Sequence, residues 1–131
     1  MAPLGSDLPD ECRAFILEHI GSVVQLEALL LLRRSGQPWT VEALARELRV
    51  EPNGAIVPLT DLRRRGLLRR LRDPERFEYA PGTAETARCV DLLDAAYQDR
   101  RVTVINLIYS RPQDAIRSFA DAFRLRPDED E

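Results

Sequence analysis

The sequence predicts one domain that is mainly α-helical and carries a small β-wing. Two short segments between residues 41 and 65 place apolar side chains at helical spacing, and a turn separates them. An apolar and basic segment follows Gly66, and polarity alternates from Arg76 to Tyr79 as it does in a β-strand. The 131 residues, of which 44% are hydrophobic and 31% are charged, suffice for a single core.

The N-terminal part of the chain predicts two helices. Residues 1–9 contain Pro and Gly and are expected to be a flexible N-terminus. Asp10 is expected to cap a first helix that continues to His19, whose cationic form the helix dipole should favour. Ser22 should cap a second helix over residues 23–34. Because that helix is apolar nearly all round, it is expected to be buried.

The middle of the chain predicts two more helices joined by a turn. Trp39 is expected to take the place of a short first strand, and Thr40 is expected to cap a helix over Val41–Leu48. Pro52 suits the first position of the next helix, because its missing N–H costs no hydrogen bond there. Gly66 is expected to end that helix in the left-handed conformation. Its core face repeats at steps of four and three through Ala55, Leu59 and Leu62.

A hairpin and a long helix are predicted next. Strands are expected over Leu67–Arg72 and Arg76–Ala80. Thr83 should open a helix that continues to about Tyr109. A strand over residues 102–109 is the alternative by β-propensity. The helix is favoured because the apolar residues there come in adjacent pairs, which leaves no polar face for a strand.

The C-terminal end predicts a short amphipathic helix and a charged tail. Pro112 suits the first position of that helix, and its apolar stripe contains Ile116, Phe119 and Phe123. Residues 84–124 are therefore expected to form a C-terminal helical segment. Residues 125–131 contain four acids and are expected to be a solvated, disordered tail.

Residues 44–70 (LARELRVEPNGAIVPLTDLRRRGLLRR) describe a helix-turn-helix that leads into a wing. This segment resembles the winged helix-turn-helix of bacterial transcriptional regulators of the MarR type, and the resemblance covers residues 23–83. It implies a winged helix-turn-helix domain over residues 10–83 with extra C-terminal helices. It also implies double-stranded DNA as partner and a homodimer formed through residues 84–124. The alternative is that these helices fold back onto the second helix of their own chain.

Arginines are concentrated in and after the second helix of this motif. Residues 63–76 contain seven arginines and two acids, in a chain whose net charge is −3. Phosphate contacts are made at the end of a recognition helix and along a wing, whereas outward polar side chains on the helix read bases. The predicted DNA-binding residues are therefore Asn53, Thr60, Arg63, Arg64, Arg65, Arg69, Arg70, Arg72 and Arg76. The alternative is that the arginines form a solvated face.

The recognition helix also has features that are unusual for DNA binding. Asp61 would repel phosphate, and Pro58 lies inside the helix, where it removes a backbone hydrogen bond. Ile56, Val57 and Pro58 are expected to form an exposed apolar ridge, which is typical of a protein-contact surface. The alternative function is a winged-helix protein-protein interaction module that has lost sequence-specific DNA readout. Its predicted contact residues are Ile56, Val57, Pro58, Ile116, Phe119 and Phe123.

Other function classes have little support in the sequence. There is no run of eighteen apolar residues and no signal-peptide pattern, so a cytoplasmic protein without a membrane partner is expected. No enzyme activity and no cofactor are expected, because His19 has no nucleophile at catalytic spacing. Two cysteines and one histidine do not suffice for a conventional zinc site. Cys12 and Cys89 are expected to be buried thiols, and the resemblance makes an oxidant sensor at Cys12 the alternative.

Overall fold

The structure is a computed structural model and describes residues 8–110. Most of these residues are in helices. None of these helices is by itself long and apolar enough to cross a bilayer. The prediction of a mainly helical chain with a small antiparallel hairpin is confirmed. The elements are α1 (Asp10–His19), α2 (Val23–Ser35), α3 (Val41–Leu48), α4 (Pro52–Arg64), β1 (Leu68–Leu71), β2 (Arg76–Tyr79), α5 (Ala84–Asp99) and α6 (Arg101–Tyr109).

Three sequence predictions fall on residues that the structure does not describe. They are residues 1–7 of the predicted flexible N-terminus, the amphipathic helix after Pro112 and the acidic tail 125–131. The N-terminal prediction extended to residue 9 and is wrong at its end, because Leu8 is only 2% exposed and belongs to the core. The apolar stripe of Ile116, Phe119 and Phe123 therefore lies outside the described residues. These predictions stay predictions.

Helix α2 lies at the centre of the fold, in contact with α3, α4 and β2. Its predicted cap is confirmed, because Ser22 Oγ accepts the Gln25 N–H at 3.1 Å. The helix ends one residue later than predicted, before Gly36 in the left-handed conformation. The predicted cap of α1 is wrong, since Pro9 occupies that position and Asp10 is the first helical residue. There the carboxylate faces the positive end of the helix dipole without capping it.

Helices α3 and α4 are joined by a three-residue turn. Thr40 Oγ1 accepts the Ala43 N–H at 3.1 Å, which confirms the predicted cap of α3. Gly66, at φ 82°, ends α4 as predicted. Its N–H bonds to the Arg63 carbonyl and the next N–H bonds to the Leu62 carbonyl, both at 3.0 Å. The predicted core face of α4 is also confirmed, because it is almost fully buried at Ala55, Leu59 and Leu62.

The hairpin packs its inner face on α2 through buried Phe77. Strands β1 and β2 are slightly shorter than predicted and pair antiparallel, with Leu68 opposite Tyr79. Trp39 forms a single bridge with Phe77, in which each residue donates its N–H to the other's carbonyl at 2.8 Å. The predicted strand position of Trp39 is thereby confirmed.

The predicted single helix from Ala84 to Tyr109 is wrong in one respect, because it is broken at Arg100. The backbone of Arg100 leaves the helical region, and α6 turns back to contact both α1 and α5. This bend brings Val104 and Ile108 into the core, which a straight continuation of α5 would not do. The strand alternative for residues 102–109 is also wrong, since they are helical.

A charged cluster ties α2 to α5. The Asp94 carboxylate is only 8% exposed and accepts hydrogen bonds from Arg33 and Arg34, each at 2.5 Å. Arg33 also pairs with the exposed Asp91 at 2.7 Å. Burial alone would raise the pKa of Asp94, but the hydrogen bond from Arg34 and the charges of both arginines lower that pKa below its ordinary value.

Candidate nucleic-acid interface

One face of α4 points away from the core. A helix turns by about 100° per residue, so the positions opposite Ala55 and Leu59 are Asn53, Val57, Thr60 and Arg64. We call these four residues the α4 outer face. Three of them are exposed, and Thr60 is half-buried. Val57 is 69% exposed, which is unusual for a large apolar side chain.

The predicted apolar ridge of Ile56, Val57 and Pro58 is wrong in extent. Ile56 is half-buried and packs against the core, and Pro58 is half-buried as well. Ile56 lies next to Ala55, on the flank of the helix rather than opposite the core. Of the three residues of the predicted ridge, only Val57 is therefore exposed.

Asp61 is held by a polar network and does not stand as a free negative charge. Its carboxylate accepts hydrogen bonds from Gln25 Nε2 at 3.0 Å and from Arg65 Nε at 2.9 Å. Burial alone would raise the pKa of Asp61, but these two hydrogen bonds and the charges of Arg65 and Arg64 lower that pKa. The repulsion of phosphate expected from Asp61 is therefore largely offset by its pairing.

Gln25 is the centre of this network, and the sequence analysis did not single it out. Its side chain, on a residue only 3% exposed, accepts the Gly21 N–H at 2.6 Å and donates to the Pro58 carbonyl at 3.1 Å. The available signal was an uncharged amide within VVQLEALLLL, a run in which Gln25 and Glu27 are the two polar residues. Because buried amides are normally fully hydrogen-bonded, such a residue indicates a contact with a distant element.

Arg65 belongs to the fold more than to the outer face. Besides pairing with Asp61, its Nη1 donates to the Glu18 carbonyl at 2.8 Å and lies 3.3 Å from His19 Nδ1. Arg65 thereby fixes the end of α4 to the end of α1. Burial, together with the nearby charge of Arg65, lowers the pKa of His19, so the expected preference for its cationic form is wrong.

The seven arginines of residues 63–76 fall into two groups. Arg69 pairs with Glu78 at 2.7 Å and Arg70 pairs with Glu75 at 3.4 Å, while Arg76 donates to the Pro74 carbonyl. Glu78 lies just beyond residues 63–76, so the charge of that segment alone overstates the positive charge of the folded hairpin. Of these seven, the exposed arginines whose side chains make no hydrogen bond or ion pair within residues 8–110 are Arg63, Arg64 and Arg72.

A groove of about 640 Å³ runs between the α4 outer face and the start of α2. Its apolar part is formed by Val24, Val57 and Pro58, and Arg64 stands at its border. Gly54 lies on the α4 side of this groove. A Cβ atom at that position would meet nothing closer than the Val50 Cβ at 3.9 Å, so no neighbour in the described residues requires a glycine there.

The two cysteines are buried, free thiols on facing helices α1 and α5. Burial raises the pKa of Cys12 to about 11, with further contributions from Cys89 and Glu11. Burial also raises the pKa of Cys89. Because the thiolate is the reactive form, these raised pKa values favour the interpretation of Cys12 as a small apolar side chain over an oxidant sensor.

Comparison with known proteins does not assign a function to this chain. No protein-family model matches the chain, and no curated protein gives a significant match. Among residues 8–110, no three His, Cys, Asp or Glu side chains form a group able to hold a metal ion. The α4 outer face and the neighbouring unpaired arginines are therefore the features from which a function can be argued.

Proposed function

We propose that this chain is a DNA-binding transcriptional regulator with a winged helix-turn-helix. In this proposal α3 and α4 are the helix-turn-helix, α4 is the recognition helix and β1–β2 is the wing. The observation that carries it is that three of the seven arginines in residues 63–76 are exposed and have no ion pair within residues 8–110. These three, Arg63, Arg64 and Arg72, lie along the end of α4 and the hairpin turn. Such positions are where proteins of this architecture contact phosphate.

The proposed contacts differ from those that the sequence alone suggested. Arg63, Arg64 and Arg72 contact phosphate, whereas Arg65, Arg69 and Arg70 are engaged in ion pairs within the fold. Arg76 remains available through the guanidinium nitrogens that do not bond to Pro74. Asn53, in the first turn of α4, and Thr60 lie on the side that faces the bases.

The test is binding to a labelled duplex from the region upstream of the protein's own gene, with competitor DNA present. Salt is varied from about 50 to 200 mM, the range over which phosphate contacts reveal themselves. If three arginines each neutralise one phosphate, the logarithm of the binding constant should fall with a slope of about −2.7 per protomer. Absence of binding, or binding indifferent to salt, would refute the proposal.

We also propose that the chain forms a homodimer through its C-terminal helices. Helix α6 supports this, because Val102 is 68% exposed and Tyr109 is exposed as well, while Ile105 and Leu107 are only half-buried. A helix with apolar residues on nearly every side is normally covered.

Val102→Glu is expected to shift the protein from dimer to monomer, because it places a charge in the proposed interface. Light scattering coupled to size-exclusion chromatography measures the mass. The matched control is Val57→Glu, which alters an equally exposed valine on α4 and should leave the mass unchanged. If Val102→Glu had the same mass as the wild type, the proposal that α6 forms the dimer contact would be refuted.

A second candidate function is a protein-protein interaction module. The groove between α2 and α4 favours it, because Val24, Val57 and Pro58 give the groove an apolar wall. In this alternative the arginines are a solvated rim. Strong salt dependence of duplex binding distinguishes the two, since an apolar groove that binds a protein segment confers no such dependence on DNA.

A further inference from the structure

The first two turns of α4 present few chemical groups to a partner. Residues 52–60 (PNGAIVPLT) contain no charged side chain. Of the polar residues in this stretch, Asn53 is exposed and Thr60 is half-buried, and Val57 is the exposed apolar group. Four residues of helix rise by about 6 Å, so the side chains of Asn53 and Val57 stand one above the other on the same face.

Gly54 lies beside both residues and is exposed. Glycine is the least favourable residue in a helix after proline, yet nothing in the described residues occupies the space that a side chain would take. Without a side chain at Gly54, an external surface can approach the flank of α4 beside Asn53 and Val57 closely.

We propose that Asn53 and Val57 read adjacent bases of an A·T-containing step in the major groove. The Asn53 amide is suited to a bidentate pair with N6 and N7 of adenine, and the Val57 methyl groups are suited to contact with the C5 methyl of thymine. The inference rests on the proposed function and adds the identity of the bases. Guanine readout by arginine is not available from these turns, because the first arginine of α4 is Arg63.

The rest of α4 contributes to affinity for DNA but not to the choice of base. Arg64 lies on the same outer face, two turns after Val57, where it reaches a phosphate. The Asp61 carboxylate is turned to Gln25 and Arg65, so it does not compete for the cytosine amino group. Base identity is then set by Asn53 and Val57, and Arg64 adds a contact that is the same for every sequence.

The test begins with selection of duplexes from a library with a randomised central segment, at about 50 mM salt. The best duplex is then synthesised with deoxyuridine in place of each thymine, which removes only the methyl group. In a parallel series 7-deazaadenine replaces each adenine. We expect deoxyuridine at one position to weaken binding about fourfold. At a neighbouring position 7-deazaadenine should weaken binding about tenfold.

Variants assign each effect to a side chain. Val57→Ala should abolish the difference between thymine and deoxyuridine, and Asn53→Ala should abolish the difference between adenine and 7-deazaadenine. Glu42→Ala is the control, because it shortens an exposed side chain on α3, outside both the α4 outer face and α6. That control should retain both differences.

The outcomes separate this inference from the proposed function. If duplexes bind with strong salt dependence but none is preferred, the base assignment fails and DNA binding stands. The assignment also fails if the selected site contains only G·C pairs, or if Val57→Ala keeps the thymine preference. If no duplex binds at all, both the assignment and the proposed function fail.

Discussion

Asp94→Asn is expected to lower the free energy of unfolding by about 2–3 kcal/mol, because it leaves two guanidinium groups beside a neutral side chain. The Asp94 side chain is 8% exposed and joins Arg33 and Arg34 of α2 to α5. The value lies below that of a fully buried pair, since both arginines are partly exposed. Urea denaturation of the two proteins at neutral pH measures the difference.

Asp91→Asn is the matched control, because within residues 8–110 Asp91 forms its ion pair with Arg33 alone, and its side chain is 61% exposed. It should change the free energy of unfolding by less than about 1 kcal/mol. If both variants lowered the free energy of unfolding by less than about 1 kcal/mol, Asp94 would not be the residue that couples α2 to α5.

The same carboxylate should make stability depend on pH. The pKa of Asp94 in the folded protein lies below its ordinary value of 3.8, so its contribution is fully present above that value. It is lost as the pH falls through the lower pKa of the folded state. The difference in stability between the wild type and Asp94→Asn should therefore narrow progressively below about pH 4.

Arg64→Glu is expected to weaken duplex binding roughly 10–100-fold, and by a similar factor for every sequence. The substitution removes a proposed phosphate contact and places a negative charge on the α4 outer face. Thermal stability should change little, because the Arg64 side chain makes no hydrogen bond or ion pair within residues 8–110. Fluorescence anisotropy with several duplexes measures both the loss and its uniformity.

Arg65 provides the control for Arg64, since the two arginines are adjacent in sequence but differ in their contacts. Arg64→Ala should reduce the salt slope by about one unit without altering stability. Arg65→Ala should keep the slope and lower the free energy of unfolding by about 1 kcal/mol, because it breaks the bonds to Asp61 and the Glu18 carbonyl. An equal loss of slope in both variants would contradict the assignment of Arg65 to the fold.

Local signals in the sequence predicted most helix boundaries. The caps at Ser22 and Thr40 and the left-handed Gly66 involve bonds that span three to five residues, so the residue type at one position decides them. The break at Arg100 was not predictable in this way. No proline or glycine marks it, and it exists because α6 packs on α1 and α5.

Part of the candidate interface was predictable, because the spacing of residues along one helix decides which of them face outward. Periodicity placed Asn53 and Val57 outward, but it treated Ile56 as exposed because it could not show that the flank of α4 is covered. The roles of Gln25 and Arg65 depend on which helix ends meet α4, and residues 33 to 47 positions apart in sequence determine that. Such pairings are properties of the packed helices and have no local signature.

Gln25 and Pro58 divide α4 into two mechanically different parts. Pro58 has no N–H, so the Gly54 carbonyl lacks the donor that would tie the first turn to the second. At the same point Gln25 anchors the Pro58 carbonyl to α2. The part that carries the arginines is thereby tied to α2, whereas the part that carries Asn53 and Val57 has lost one backbone hydrogen bond to it. Under the proposed function, we expect the start of α4 to bend toward the local shape of a duplex more readily than its end does.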